Sequence, residues 1–152
     1  MKTYVDSSAL IPIYVPEAFS AAARAAVRAA GQVPFTALHE LEVTNAFELL
    51  VGRGVMTPDE GRAVHAQVRA DVQEQRLRRL VLDYDRVFAD AELLSRTYTA
   101  QHLARSLDLL HVAAARATAC ATFVSADARQ LAVAEASGLT IVDIRRRRRP
   151  QG

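Results

Sequence analysis

The chain has 152 residues, 51% of them hydrophobic, and carries 19 lysine and arginine side chains against 17 acidic ones. This length favours one globular domain whose core needs no disulfide or structural zinc, and its one cysteine, Cys120, can form neither alone. The longest apolar run, residues 9–15, contains Pro12 and is too short to span a membrane. We therefore expect a soluble, cytoplasmic protein that does not act at a membrane.

The positive charge is concentrated near the C-terminus. Five consecutive arginines occupy residues 145–149, and without them 14 basic residues face 17 acidic ones, a net charge of −3. A protein that binds nucleic acid through a wide basic surface has a different charge balance. We expect residues 1–144 to form a single domain and residues 145–152 to form a disordered, arginine-rich tail.

Short β-branched or aromatic segments alternate with long segments rich in alanine and leucine, which predicts a parallel sheet covered by helices. The predicted strands are 3–5, 33–35, 80–83, 122–124 and 140–142. The predicted helices are 8–14, 17–30, 37–52, 58–78, 86–104, 108–120 and 127–137. The expected fold is a three-layer α/β domain with a central parallel sheet of about five strands flanked by helices.

Three acidic residues lie at the strand ends and the helix start where a parallel α/β fold binds its ligands. Asp6 and Asp127 follow the first and fourth strands, and ligands of open parallel sheets bind at the carboxyl ends of strands. Asp108 opens the predicted helix 108–120. Each of the three, taken alone, is explained equally well as a helix-capping or helix-start acid. Together they predict a cluster that a cation must neutralise, and oxygen-only ligands favour magnesium or manganese.

A fourth acid belongs to the predicted helix 37–52, where two glutamates compete. Glu40 and Glu42 fall on either side of the apolar face that Val43 and Phe47 mark. Helical periodicity alone leaves both open.

The acidic segments, in order and with their spacing, resemble the four motifs of PIN domains, and most closely those of VapC-type toxin ribonucleases from bacterial toxin–antitoxin pairs. The resemblance extends over residues 3–142. The segments that carry it are Tyr4-Val5-Asp6-Ser7-Ser8-Ala9-Leu10, Glu42-Val43-Thr44-Asn45-Ala46, Ser106-Leu107-Asp108-Leu109-Leu110-His111-Val112-Ala113-Ala114-Ala115, and Phe123-Val124-Ser125-Ala126-Asp127 followed by Gly138-Leu139-Thr140-Ile141-Val142.

The resemblance implies a metal-dependent endoribonuclease that hydrolyses RNA phosphodiester bonds with Mg²⁺ or Mn²⁺. It assigns the catalytic and metal-binding roles to Asp6, Glu42, Asp108 and Asp127, and so favours Glu42 over Glu40. It also implies supporting roles for Asn45 and Ser125. The implied partners are an RNA substrate, a cognate VapB-like antitoxin and a second copy of the chain in a homodimer.

Other interpretations stay open at this point. One is a PIN nuclease that works without an antitoxin, and another is a PIN-like module that binds RNA without cutting it. A phosphotransfer domain with Asp6 as nucleophile fits less well, because Ser8 stands where haloacid-dehalogenase-like phosphatases place a second aspartate. His111 lies one turn after Asp108 and could reach the metal site, but a packed or partly exposed helix histidine is the favoured interpretation. The arginines Arg145, Arg146, Arg147, Arg148 and Arg149 are either RNA contacts or a solvated chain end.

Overall fold

The computed structural model describes residues 1–146, and residues 147–152 lie outside the described part of the chain. Its strands are β1 (Thr3–Val5), β2 (Val33–Phe35), β3 (Leu77–Arg79), β4 (Thr122–Ser125) and β5 (Thr140–Asp143). Its α-helices are α1 (Ser7–Tyr14), α2 (Ser20–Ala30), α3 (Ala37–Gly52), α4 (Pro58–Gln73), α5 (Tyr84–Leu94), α6 (Ala100–His102), α7 (Ser106–Ala117) and α8 (Ala128–Ala136). A π-helical turn, Ser95–Thr99, joins α5 to α6.

The strands pair in parallel in two groups. The central sheet has the order β1-β4-β5, with Tyr4 opposite Phe123 and Phe123 opposite Ile141. The other group pairs β2 with β3, Val33 standing opposite Leu77. The predicted α/β fold is confirmed, and its five strands are hydrogen-bonded as three plus two within the described residues.

Each face of the central sheet supports its own core because successive side chains along a strand point to opposite faces. Tyr4 and Phe123 are fully buried with residues of α5, α7 and α8, and their rings stack with centroids 5.6 Å apart. Val5 and Val124 pack on the other face with residues of α1, α2, α3 and α4. Helices therefore cover both faces, which gives the predicted three layers.

The third strand was predicted in the wrong place. It occupies Leu77–Arg79 instead of 80–83, and α4, predicted to continue to 78, ends at Gln73. Gln75 takes a left-handed conformation with φ of 61°, which stops the helix. Only Leu77 of β3 is buried, while Val81 is 96% exposed, so apolar residues did not mark the strand.

The other element boundaries shift by a few residues. The predicted helix 86–104 begins earlier, at Tyr84, because Asp83 caps it, and it is interrupted by the π-helical turn. It ends at His102, before Leu103, whose φ is 56°. No helix within residues 1–146 combines the length and apolar character that crossing a membrane requires.

Candidate active site at the carboxyl edge of the sheet

Asp6 follows β1 directly and is 4% exposed. Its Oδ2 accepts hydrogen bonds from the Ser8 backbone N–H at 3.1 Å, the Ser8 hydroxyl at 2.5 Å and the Ser125 hydroxyl at 3.2 Å. Its Oδ1 accepts one from Gln130 Nε2 at 3.3 Å. Asp6 is thus both the N-cap of α1 and a member of a polar cluster, so the two interpretations of this residue do not exclude each other.

Asp127 shows the same double placement after β4. Its Oδ1 caps α8 by accepting hydrogen bonds from the backbone N–H groups of Arg129 at 2.8 Å and Gln130 at 3.2 Å. Its Oδ2 accepts a hydrogen bond from the guanidinium of Arg105 at 3.2 Å. One oxygen therefore stabilises the helix while the other faces the cluster.

Asp108 lies in the first turn of α7 and is buried. Its Oδ2 accepts from the backbone N–H of Arg105 at 3.0 Å and from Arg105 Nε at 3.2 Å. The guanidinium of Arg105 consequently spans Asp108 and Asp127, and it partly neutralises both.

Glu42, and not Glu40, belongs to this group. Oε1 of Glu42 accepts a hydrogen bond from the Ser7 hydroxyl at 3.2 Å and shares another with Nε2 of His111. Burial alone would raise the pKa of Glu42, but the hydrogen bond and charge of His111 outweigh it and hold this pKa below its usual value. Glu40 instead pairs with Arg79 of β3 at 2.8 Å.

The buried side chain of His111 contacts two of the acids, Glu42 and Asp6. The side chain is 1% exposed, its Nδ1 lies 2.8 Å from the Tyr4 hydroxyl, and its Nε2 lies 3.7 Å from Asp6 Oδ1. Burial would lower the pKa of His111, yet the hydrogen bond to Glu42 and the charge of Asp6 raise it above its usual value. The sequence interpretation favoured a packed histidine, which its burial agrees with, and kept reach to the acids as the lesser alternative because His111 lies one turn after Asp108. The contact with Glu42 itself was not predicted.

Gln130 is a residue of the site that sequence reasoning missed. It is 2% exposed, and its side-chain amide donates to Asp6 Oδ1 and to the backbone carbonyl of Asp108, both at 3.3 Å. Its Oε1 accepts a hydrogen bond from Ser125 at 2.7 Å, and Ser125 in turn accepts one from the Asp127 N–H at 3.0 Å. Asp6, Glu42, Asp108 and Asp127, named the acid cluster below, thus form one network connected through His111, Gln130, Ser125 and Arg105.

The remaining predicted residues lie elsewhere. Asn45 is exposed on α3, outside the hydrogen-bonded network of the described residues. Arg145 and Arg146 follow β5 and pair with Asp143, at 2.7 Å for Arg145 and 3.6 Å for Arg146. The hydrogen bond from Arg145 lowers the pKa of Asp143. Arg147, Arg148 and Arg149 lie outside the described residues.

The PIN domain family matches residues 3–136, a span that contains the whole acid cluster. The chain belongs to the PIN domain family. The crystal structure of FitAcB from Neisseria gonorrhoeae resembles this PIN domain with a TM-score of 0.68 and 14% sequence identity, over 95% of this chain and 99% of that chain. That likeness shows a shared fold. A search of the curated proteins gives no match.

The acid cluster of this PIN domain has donors that suit a hard divalent cation. All four acids present carboxylate oxygens, the ligands that Mg²⁺ and Mn²⁺ prefer. Among residues 1–146, however, no group of three or more histidine, cysteine, aspartate or glutamate side chains has the geometry of a metal site. The guanidinium of Arg105 lies among the acids instead, and Nε2 of His111 contacts Glu42. The donor chemistry therefore fits such a cation, provided that these side chains rearrange.

Proposed function

We propose that this PIN domain is a metal-dependent endoribonuclease that hydrolyses RNA phosphodiester bonds with Mg²⁺ or Mn²⁺. A PIN domain is in general a nuclease, and the chain belongs to that family. The observation that carries the proposal is the convergence of acids from β1, α3, α7 and the β4–α8 junction on one edge of the sheet. Carboxylates gathered in this way repel one another unless cations neutralise them.

The chain's own residues have defined tasks in this reaction. Asp6, Glu42, Asp108 and Asp127 would hold the metal, which when bound supplies positive charge toward the phosphate and activates a water molecule. Gln130 and Ser125 fix the carboxylate of Asp6 through their hydrogen bonds. His111 holds Glu42 toward the other acids. Asn45, exposed one turn after Glu42, is proposed to support that glutamate once the site is occupied.

The proposed biological role is that of the toxin of a toxin–antitoxin pair in the cytoplasm. It rests on the resemblance of the four motifs to VapC-type ribonucleases. The proposed partners are a VapB-like antitoxin that presents a basic side chain to the acid cluster and a second copy of the chain. The net charge of −3 without residues 145–149 is compatible with a basic partner.

Cleavage of labelled single-stranded RNA tests the activity. We expect cleavage with Mg²⁺ or Mn²⁺ and its loss with a chelator, and we expect Asp6→Asn and Glu42→Gln to lower the rate about 100-fold as metal ligation weakens. Glu40→Gln is the matched control, because Glu40 lies two residues away and pairs with Arg79. Its rate should equal that of the wild type.

Each alternative predicts a different outcome. Cleavage that resists the chelator, or full activity of Asp6→Asn, contradicts the metal mechanism. RNA binding without cleavage favours a non-catalytic module, and phosphate release from small phosphomonoesters without RNA cleavage favours phosphotransfer from Asp6. A short open reading frame immediately upstream of the gene supports the antitoxin, while its absence favours a PIN nuclease that works without one.

A further inference from the structure

Arg105 is the arginine that occupies the acid cluster. Its Nε lies 3.2 Å from Asp108 Oδ2 and its Nη2 lies 3.2 Å from Asp127 Oδ2. Among the salt bridges between described residues, every other arginine pairs with an acid outside the cluster. Among these salt bridges, Arg105 is therefore the arginine that pairs with acids of the cluster, and it pairs with two of the four.

The main chain of Arg105 is fixed while its side chain is free to move. Its backbone N–H donates to Asp108 at 3.0 Å, and its carbonyl accepts from the Leu109 N–H at 3.1 Å, so the residue is the N-cap of α7. The side chain is 68% exposed. Its carboxylate partners are much less exposed, but a largely solvated guanidinium gains little net stability from such pairs. The guanidinium can therefore leave the carboxylates without disturbing the helix.

A divalent cation and the guanidinium compete for the same two carboxylates. Asp108 and Asp127 are the acids that Arg105 bridges, and both are proposed metal ligands. A divalent cation held by Asp108 and Asp127 would take the carboxylate oxygens that the guanidinium now contacts, and the anchored backbone of Arg105 would keep the freed guanidinium close to the site. A guanidinium presents a planar fork that matches a phosphate group as well as a carboxylate.

We propose that Arg105 binds the RNA phosphate at the acid cluster, and that it is released for this by the divalent cation that replaces it on Asp108 and Asp127. This inference rests on the proposed nuclease function. It assigns Arg105 opposite effects on two ligands: it opposes the binding of the cation and it favours the binding of RNA. A residue with a merely structural role at the start of α7 would support both.

The test compares the wild type with Arg105→Ala and Arg105→Lys, and uses Arg96→Ala as the control. Arg96 is similarly exposed, at 73%, and pairs with Glu92 away from the cluster. Binding of Mn²⁺ alone is measured by calorimetry. Arg105→Ala should bind Mn²⁺ about 1.5- to fivefold more tightly, the range that removal of a competing ion pair of about 0.2–1 kcal/mol gives. Arg96→Ala should match the wild type.

Binding of single-stranded RNA is then measured across a salt series in an Asp6→Asn background, so that the RNA persists, with Mn²⁺ at a concentration that calorimetry shows to saturate that background. Arg105→Ala should weaken binding and lower the salt slope by about 0.7, the value for one lost phosphate contact. Arg105→Lys should retain the slope but bind less tightly, since a lysine keeps the charge and loses the fork.

The outcomes separate this inference from the proposed function. Weaker or unchanged Mn²⁺ binding by Arg105→Ala, or an unchanged salt slope, overturns the role of Arg105 while the wild type still cleaves RNA. A wild type that neither binds Mn²⁺ nor cleaves RNA rejects the nuclease function, and the role of Arg105 with it.

Discussion

The imidazole of His111 shares a hydrogen bond through Nε2 with Oε1 of Glu42, 69 residues earlier in the chain. The other ring nitrogen lies 2.8 Å from the Tyr4 hydroxyl on β1. One buried side chain therefore connects α7, α3 and β1 next to the acid cluster. Since His111 is 1% exposed, water cannot replace these hydrogen bonds.

Replacing His111 by alanine should lower the free energy of unfolding by about 1–3 kcal/mol. The cause is the loss of partners for the buried Tyr4 hydroxyl and for Glu42. Urea denaturation measures the change. His102→Ala is the control, because His102 is partly exposed and lies outside this network, and its loss should cost about 1 kcal/mol or less. Equal losses in the two variants would contradict a special role for the buried network.

Stability should depend on pH through His39. Burial, and then the charge of His111, lower the pKa of His39 to about 3, although its hydrogen bond to the Val5 carbonyl acts in the opposite direction. Below its ordinary pKa of 6.5 the unfolded chain binds a proton that the folded protein excludes, so stability falls as the pH drops from 6.5 toward 3.

Between pH 7 and pH 5 this histidine should account for a loss of about 2 kcal/mol. The ring is in contact with Thr36 and the Val5 carbonyl, and with the rings of Tyr4, Phe35 and His111. Urea denaturation at the two pH values should show a smaller loss for His39→Gln than for the wild type. His102→Gln, which changes a partly exposed histidine, should retain the loss of the wild type. An equal loss in His39→Gln would show that other groups cause it.

Two substitutions of Asp127 should distinguish its structural role from its chemical role. Asparagine keeps the N-cap of α8, so Asp127→Asn should leave the unfolding free energy nearly unchanged while RNA cleavage falls. Asp127→Ala should lose cleavage and also about 1 kcal/mol of stability.

The matched pair for this comparison is Asp83→Asn and Asp83→Ala. Asp83 caps α5 through the Arg86 N–H at 3.3 Å and lies outside the acid cluster. Its alanine variant should lose a similar stability and keep full cleavage activity. Wild-type cleavage by Asp127→Asn would restrict Asp127 to helix capping.

Much of the fold was predictable because β1, β2 and β4 are apolar segments buried between helices. The strand that could not be placed, β3, is paired with β2 alone and buries only Leu77, so its side chains do not reveal it.

The candidate site was predictable to the extent that chain order determines it. Asp6 and Asp127 follow strands that pair directly, so their proximity follows from the topology. The choice of Glu42 over Glu40 depends on the rotation of α3, which helical periodicity leaves open and the resemblance to PIN motifs decided. Gln130 entered the site through tertiary contacts with Asp6 and Asp108 that have no short-range sequence signal, whereas Arg105 and His111 each lie three residues from Asp108.

The C-terminal arginines divide into two groups. Arg145 and Arg146 share the single negative charge of Asp143, which offsets one of their two positive charges. Arg147, Arg148 and Arg149 lie outside the described residues, and their composition fits either contacts to RNA phosphates or a solvated chain end. The experiment that separates the two groups therefore changes only the last three arginines.

Replacing Arg147, Arg148 and Arg149 together by glutamine should lower the salt slope of single-stranded RNA binding by up to about 2, since each phosphate contact contributes about 0.7. Binding is measured across a salt series with Asp6→Asn in both proteins, so that the RNA stays intact. In the active background, cleavage at saturating RNA should persist, because all four acids precede residue 128 and keep their contacts. Equal salt slopes would show that these arginines take no part in binding the substrate, and would leave Arg105 as the basic residue best placed to meet the phosphate.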